Sequence, residues 1–138
     1  MSLIPQYDPM QFGEAALKLR SYRQELLSSN IVNSDTPGFK ARDIAFADVL
    51  REQLSGTATT SPVSLQRTNN RHIGAAGSMI DGLVKYRVPV QPARDGNTVD
   101  PDIERSQFAM NSFMTESALN FLGSTIRTRL SAITGQPS

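Results

Sequence analysis

Asn30-Ile31-Val32-Asn33-Ser34-Asp35-Thr36-Pro37-Gly38-Phe39-Lys40 closes a long apolar-periodic run with a dense stop signal. Asn30 and Asn33 are poor helix-interior residues whose amides bond local backbone, so both suit a helix exit. Thr36 precedes Pro37 and is pushed out of the α region, and Pro37-Gly38 suits a tight turn. Working back from the stop, Asp8-Pro9-Met10-Gln11 is a helix start: Asp8 caps, Pro9 fits the first helical position and Gln11 reaches back to the cap. In between, Phe12, Ala15, Ala16, Leu19, Tyr22, Leu26 and Leu27 recur at three- and four-residue steps. One apolar stripe on a helix over 9–33 follows.

A second helix over 101–134 begins the same way. Asp100 caps, Pro101 occupies the first turn, and Asp102 and Glu104 place negative charge at the positive end of the dipole. Ile103, Met110, Phe113, Met114, Phe121, Leu122, Ile126, Leu130 and Ile133 carry the apolar pattern to Gly135 and Pro137, which stop it. Its second half reads as a heptad-like seam through Leu119, Leu122, Ile126 and Ile133. The polar face, with Ser112, Ser117, Asn120 and Ser124, carries few charges, which points to contact with other protein rather than water.

The middle, 34–100, is of another kind. Ile44, Phe46, Val49, Leu50 and Leu54 fit a short amphipathic helix from Ile44 to Gln53. A flexible insert is expected over 55–80, where Ser55-Gly56-Thr57-Ala58-Thr59-Thr60-Ser61-Pro62 and Gly74-Ala75-Ala76-Gly77-Ser78 bury little apolar surface. Lys85-Tyr86-Arg87-Val88-Pro89-Val90-Gln91-Pro92 favours extended backbone, and Asp95-Gly96-Asn97 is a turn. The expected fold is a single mainly α domain over 1–138: two long terminal helices packed as a coiled-coil-like pair around a largely irregular middle. Such a pair hides one stripe per helix. Either the short helix completes a bundle, or helices of many subunits share one core. The thin apolar content of the middle favours the polymer.

Enzymatic readings find little support. The 138 residues carry a net charge of +1 and no cysteine, which excludes disulfides, thiolate nucleophiles and Cys-ligated metals and leaves no basic face for nucleic acid. His72 lies alone among Asn69, Asn70 and Arg71, as a solvated loop histidine would. Asp100, Asp102 and Glu104 are explained as caps and dipole partners without acid–base work. No cofactor or metal is expected, and no apolar run nears the ~20 residues of a membrane span. The opening Met1-Ser2-Leu3-Ile4-Pro5-Gln6-Tyr7-Asp8 lacks the basic and apolar regions of a cleavable signal.

The string Asn30, Ile31, Asn33, Thr36, Pro37, Gly38, Phe39, Lys40 resembles the N-terminal signature of the bacterial flagellar rod-and-hook axial proteins. Ser29 and Val32 stand where alanines are commoner in that signature. Lys40-Ala41-Arg42-Asp43-Ile44-Ala45-Phe46, and Tyr86-Arg87-Val88-Pro89 followed by Asp95-Gly96-Asn97-Thr98-Val99-Asp100 and Glu104, are similar to the proximal rod type of that family, as is the short length. The resemblance implies a non-enzymatic subunit of the hollow drive shaft of bacterial motility. It would be exported by type III secretion and polymerise in the periplasm. Copies of itself and other rod proteins would be its partners, together with the adaptor joining rod to MS ring and the export gate. Phe12, Leu19, Tyr22 and Leu26 of the first helix, with Leu119, Leu122, Ile126, Leu130 and Ile133 of the second, would then line subunit interfaces. A helical adaptor or chaperone-like module binding through the same stripes is the alternative, as is another rod subunit.

Overall fold

A computed structural model of the chain describes residues 8–55, 83–88 and 94–135. The insert expected over 55–80 lies outside these beyond Ser55, as do Pro89 and Pro92. In chain order the elements are α1 (Pro9–Val32), β1 (Arg42–Ile44), α2 (Phe46–Ser55), β2 (Val84–Tyr86) and α3 (Pro101–Thr134). The fold is mainly helical, with the two long helices at the ends.

Both long helices start on an Asp-Pro pair. Asp8 accepts the Met10 N–H at 3.1 Å, and Asp100 accepts those of Asp102 and Ile103 at 3.1 and 3.3 Å. Each carboxylate satisfies backbone donors that the first turn leaves unpaired. Asn33 caps α1, its N–H reaching the Ser29 and Asn30 carbonyls at 3.2 Å and its side-chain amide donating to Ser29 at 2.8 Å. Gly135 closes α3 in the left-handed region, at φ 68°.

α1 and α3 run antiparallel. Asn30 touches Glu104, Gln24 touches Ser112, Gly13 faces Leu122, and Asp8 pairs with Arg129. α3 outlasts α1, so its last turn continues past the Asp8–Arg129 pair. A methyl at position 13 would meet Leu122 Cδ1 at 2.9 Å, so glycine lets the two helices close up there.

The main cluster of the buried core consists of Ala16, Leu19 and Leu26 from α1, Ile44 from β1, and Val49 and Leu50 from α2, with Leu27 and Ala41 also buried. Two corrections follow. The middle of the chain supplies half of this cluster, more apolar cover than its composition leads one to expect. Leu19 and Leu26, expected at subunit interfaces, lie inside the chain, and Tyr22 packs half-buried against the same cluster. An apolar stripe marks which face of a helix is dry, not whether its partner belongs to the same chain.

The short helix starts at Phe46 rather than Ile44, because residues 42–44 are extended and pair antiparallel with 84–86, Asp43 opposite Lys85. Three residue pairs make a marginal sheet in water. Side-chain ion pairs described below hold it to the helices.

Candidate functional site

Two stretches singled out in the sequence, 33–40 and 94–100, dock on each other. Asn97 is buried, and its amide nitrogen lies 3.1, 2.7 and 3.0 Å from the carbonyls of Asn33, Ser34 and Thr36. Its Oδ1 accepts the Val99 N–H at 2.8 Å. The Gly38 N–H donates to the Asp95 carbonyl at 3.0 Å, Thr98 N–H to Phe39 at 3.0 Å, and Lys40 Nζ to the Gly96 carbonyl at 2.6 Å. Thr36 Oγ1 donates to Asn33 Oδ1 at 3.2 Å within the first turn. Thr36, Pro37, Gly38, Lys40 and Asp95 remain exposed, while Phe39 and Gly96 are half-buried. The signature is therefore a joint: it stops α1 and launches α3 from one hydrogen-bonded block.

Gly38 and Gly96 both adopt positive φ, 73° and 75°. No atom lies near a Cβ built at Gly38, so only backbone strain opposes a side chain there. Gly38→Val is expected to cost about 1–2 kcal/mol, since a β-branched residue resists this region. A urea midpoint unchanged from the parent would show that the turn does not need glycine.

Asn30 differs from its local reading. It lies inside α1, fully buried, and clamps rather than ends the helix. Its Nδ2 donates to the Arg42 carbonyl at 2.8 Å and to Glu104 Oε2 at 3.1 Å, and its Oδ1 accepts the Arg42 N–H at 3.1 Å. It thus pairs with a residue of β1 as a neighbouring strand would.

Behind it stands a polar cluster that local reading of the sequence misses. Glu104 is 0% exposed, and its Oε1 accepts from Arg87 Nη1 at 2.6 Å. Arg87 Nη2 donates to Asp43 Oδ2 at 2.6 Å, and Arg23 grips the same carboxylate through Nε at 2.8 Å and Nη2 at 2.9 Å. Arg23 Nη2 also reaches Gln107 Oε1 at 3.2 Å. Two cations and two anions from α1, β1, α3 and the residue after β2 balance each other. Buried charges persist only when paired this way. The signal was present in spacing: Glu104, Asn111, Ala118 and Leu122 share one face of α3, so that face turns from polar to apolar along the helix.

Burial pushes the Asp43 carboxyl up, but the Arg23 bond, the Ile44 N–H and Arg87 outweigh it, leaving the pKa below the ordinary carboxylate range. Contact with Asp43 raises Arg23 in turn, against burial. A depressed folded pKa stabilises at pH above the unfolded value and loses that contribution as pH falls through the folded one. Asp43→Asn is therefore expected to lower the urea midpoint clearly at pH 7, the gap narrowing below about pH 4. A gap independent of pH would contradict the pairing.

On the other side the site is open. α3 fully buries only Glu104 and Asn111 among its described residues. Phe121 is 75% exposed and Ile133 83%, and Met110, Phe113, Leu119, Ile126 and Leu130 also face outward. By helical phase these form two flanks, one through Met110, Phe113 and Phe121, the other through Leu119, Ile126, Leu130 and Ile133. They lie either side of the line that meets α1. Leu122 lies on that line, half-buried over Gly13, and Phe12 remains exposed. An apolar groove of about 350 Å³ opens between the helices, lined by Phe12, Ala16, Phe46, Leu50, Phe121 and Leu122 among others. No group of three or more metal-ligating side chains occurs among the described residues. No described helix is long and apolar enough to cross a membrane.

Residues 10–40, which hold α1 and the signature turn, match the family model described as flagella basal body rod protein. The whole chain is similar to particular members of that class. It is 47% identical over 126 residues to the flagellar basal body rod protein FlgB of Yersinia enterocolitica, covering 90% of this chain and 92% of that one. Against FlgB of Salmonella typhimurium identity is 45% over 130 residues, with 91% and 93% covered. FlgB of Escherichia coli K12 is 46% identical over 120 residues, with 86% and 87% covered. With identity at that level across most of both chains, the chain belongs to the FlgB family of flagellar basal body rod proteins.

Proposed function

We propose that this chain is a structural, non-catalytic subunit of the proximal rod of the flagellar basal body. It polymerises with copies of itself and with other rod proteins through α3 and the exposed end of α1. The observation that carries this reading is the length of α3, whose fully buried residues are polar while its large apolar side chains stand outward on two flanks. Dry surface on two sides of one helix calls for two neighbours, and contacts between unlike faces propagate instead of closing. Covering those flanks adds about 25 cal/mol per Å² of apolar area. The same reading has the subunit delivered by type III export to a periplasmic rod. The rod–MS-ring adaptor and the export gate are then neighbours during assembly.

The interface residues on this reading are Phe12, Leu119, Ile126, Leu130 and Ile133, with Phe113 and Phe121 on the second flank. Leu122 is a poorer probe, because it also packs on α1, and Ser112 accepts from Gln24 at 2.8 Å. Ile126→Asp puts an unpaired charge into the covered flank and leaves the chain's own core alone. It is expected to give folded subunit, no rods in purified basal bodies and no swimming. Arg127→Asp, at an exposed charged position between the two flanks, is expected to swim normally. Wild-type motility with Ile126→Asp would refute assembly through this flank.

A further inference from the structure

The apolar side of α3 is ambiguous about register. Met114, Ala118 and Leu122 recur every fourth residue along the groove between α3 and α1, with Ile126 next in the series at its edge. Sliding α3 along α1 by one turn replaces each of these with another of similar character. Such a ladder rewards several alignments almost equally, and hydrophobic contact is not directional.

The polar contacts are not interchangeable in this way. Asn111 is 1% exposed, and its Nδ2 donates at 3.0 Å to the carbonyl of Arg20, inside α1, as well as to Gln24 Oε1. Gln24 Nε2 in turn donates to Ser112 Oγ at 2.8 Å. About one turn toward the start of α3 from Asn111, Gln107 receives Arg23, and beyond it Glu104 receives Asn30 and Arg87. After a slip of one turn Glu104 would be buried away from Arg87, and the Asn111 amide would face side chains with nothing to accept it. Unpaired buried polar groups are costly, so these slipped alignments are closed off.

We propose that Asn111 with Gln24, backed by the Asn30–Glu104 contact, is a register key that holds α1 and α3 in one alignment out of several that the apolar ladder allows. A single buried asparagine plays this part in coiled coils, at a cost in stability. The key would keep the outer flanks of α3 in fixed phase to the rest of the subunit. The proposal concerns the isolated chain and does not depend on its place in the rod.

Double electron–electron resonance on the full-length chain tests it. The chain has no cysteine, so Glu14→Cys with Arg105→Cys places two spin labels at exposed positions far apart along the helix axes. The parent is expected to give one narrow distance. Adding Asn111→Leu and Gln24→Leu, with Glu104→Gln to remove the buried charge that would itself penalise a slip, is expected to keep the helix content by circular dichroism. It is also expected to add a second population displaced by about 5.4 Å, one helical turn. Leu122→Ala, which weakens apolar packing and leaves the key, is expected to lower the melting temperature and retain the single distance. The proposal is overturned if the leucine variant keeps the parent distance alone, or if Leu122→Ala disperses the distance as well. Loss of helix in the leucine variant also counts against it, since an apolar residue at a buried seam position supports pairing.

Discussion

Replacing Glu104 by alanine is expected to cost the subunit about 3 kcal/mol, the lower end of what breaking a buried ion pair costs. The carboxylate is wholly buried and sits between the Arg87 guanidinium and the Asn30 amide. Its removal leaves Arg87 with Asp43 alone and strips Asn30 of one acceptor. The loss stays near 3 rather than 5 kcal/mol because Arg87 keeps its 2.6 Å bond to Asp43 and is a quarter exposed. Against the ~5–15 kcal/mol that holds a typical domain together, such a loss approaches the whole margin. Urea unfolding of the purified chain measures it, and a loss under 1 kcal/mol would mean the cluster is incidental to stability. Glu104→Gln keeps one oxygen to accept from Arg87 but turns an NH2 donor toward the Asn30 amide, so its cost should fall between the parent and the alanine variant.

Asn97→Ala is expected to be nearly as damaging, at about 2–3 kcal/mol, for a different reason. One amide bridges three carbonyls of the first turn and one N–H of its own segment. At about 1 kcal/mol per bond, with the site buried, the sum is large for a loop residue. The effect should also be local: hydrogen exchange at the Gly38, Thr98 and Val99 amides should rise far more than at Leu26 or Leu27. Uniform loss of protection across the chain would show that the joint is not a separate unit.

The ends of the fold were legible in the sequence because caps are local. Asp-Pro starts a helix wherever it falls ahead of an apolar run, and Pro37-Gly38 stops one. The pairing of 42–44 with 84–86 was not legible, since two three-residue strands separated by some forty positions have no periodic signal of their own. Glu104, read beside Asp102, is a dipole partner; only Arg87, seventeen positions earlier, makes it a buried anion. Leu19 and Leu26 show the same limit: Val49 and Leu50 of α2, not a neighbouring subunit, cover this part of α1. Of the signature, Pro37 and Gly38 do what their local chemistry implies, whereas Asn30 and Asn97 act at long range that local chemistry does not encode.

The partnership of the first and last helices also decides when the chain can fold. Asn30 meets Glu104 across 74 positions, Arg20 meets Asn111 across 91, and Asp8 meets Arg129 across 121. Contacts so distant require large loops to close before they stabilise anything, which slows folding. For a chain passed through a narrow opening, it makes no difference which terminus leads. The leading helix emerges with its partner still at the far end of the thread. Nearly the whole chain must therefore clear the opening before α1 and α3 can pair, so delay is written into the order of the elements.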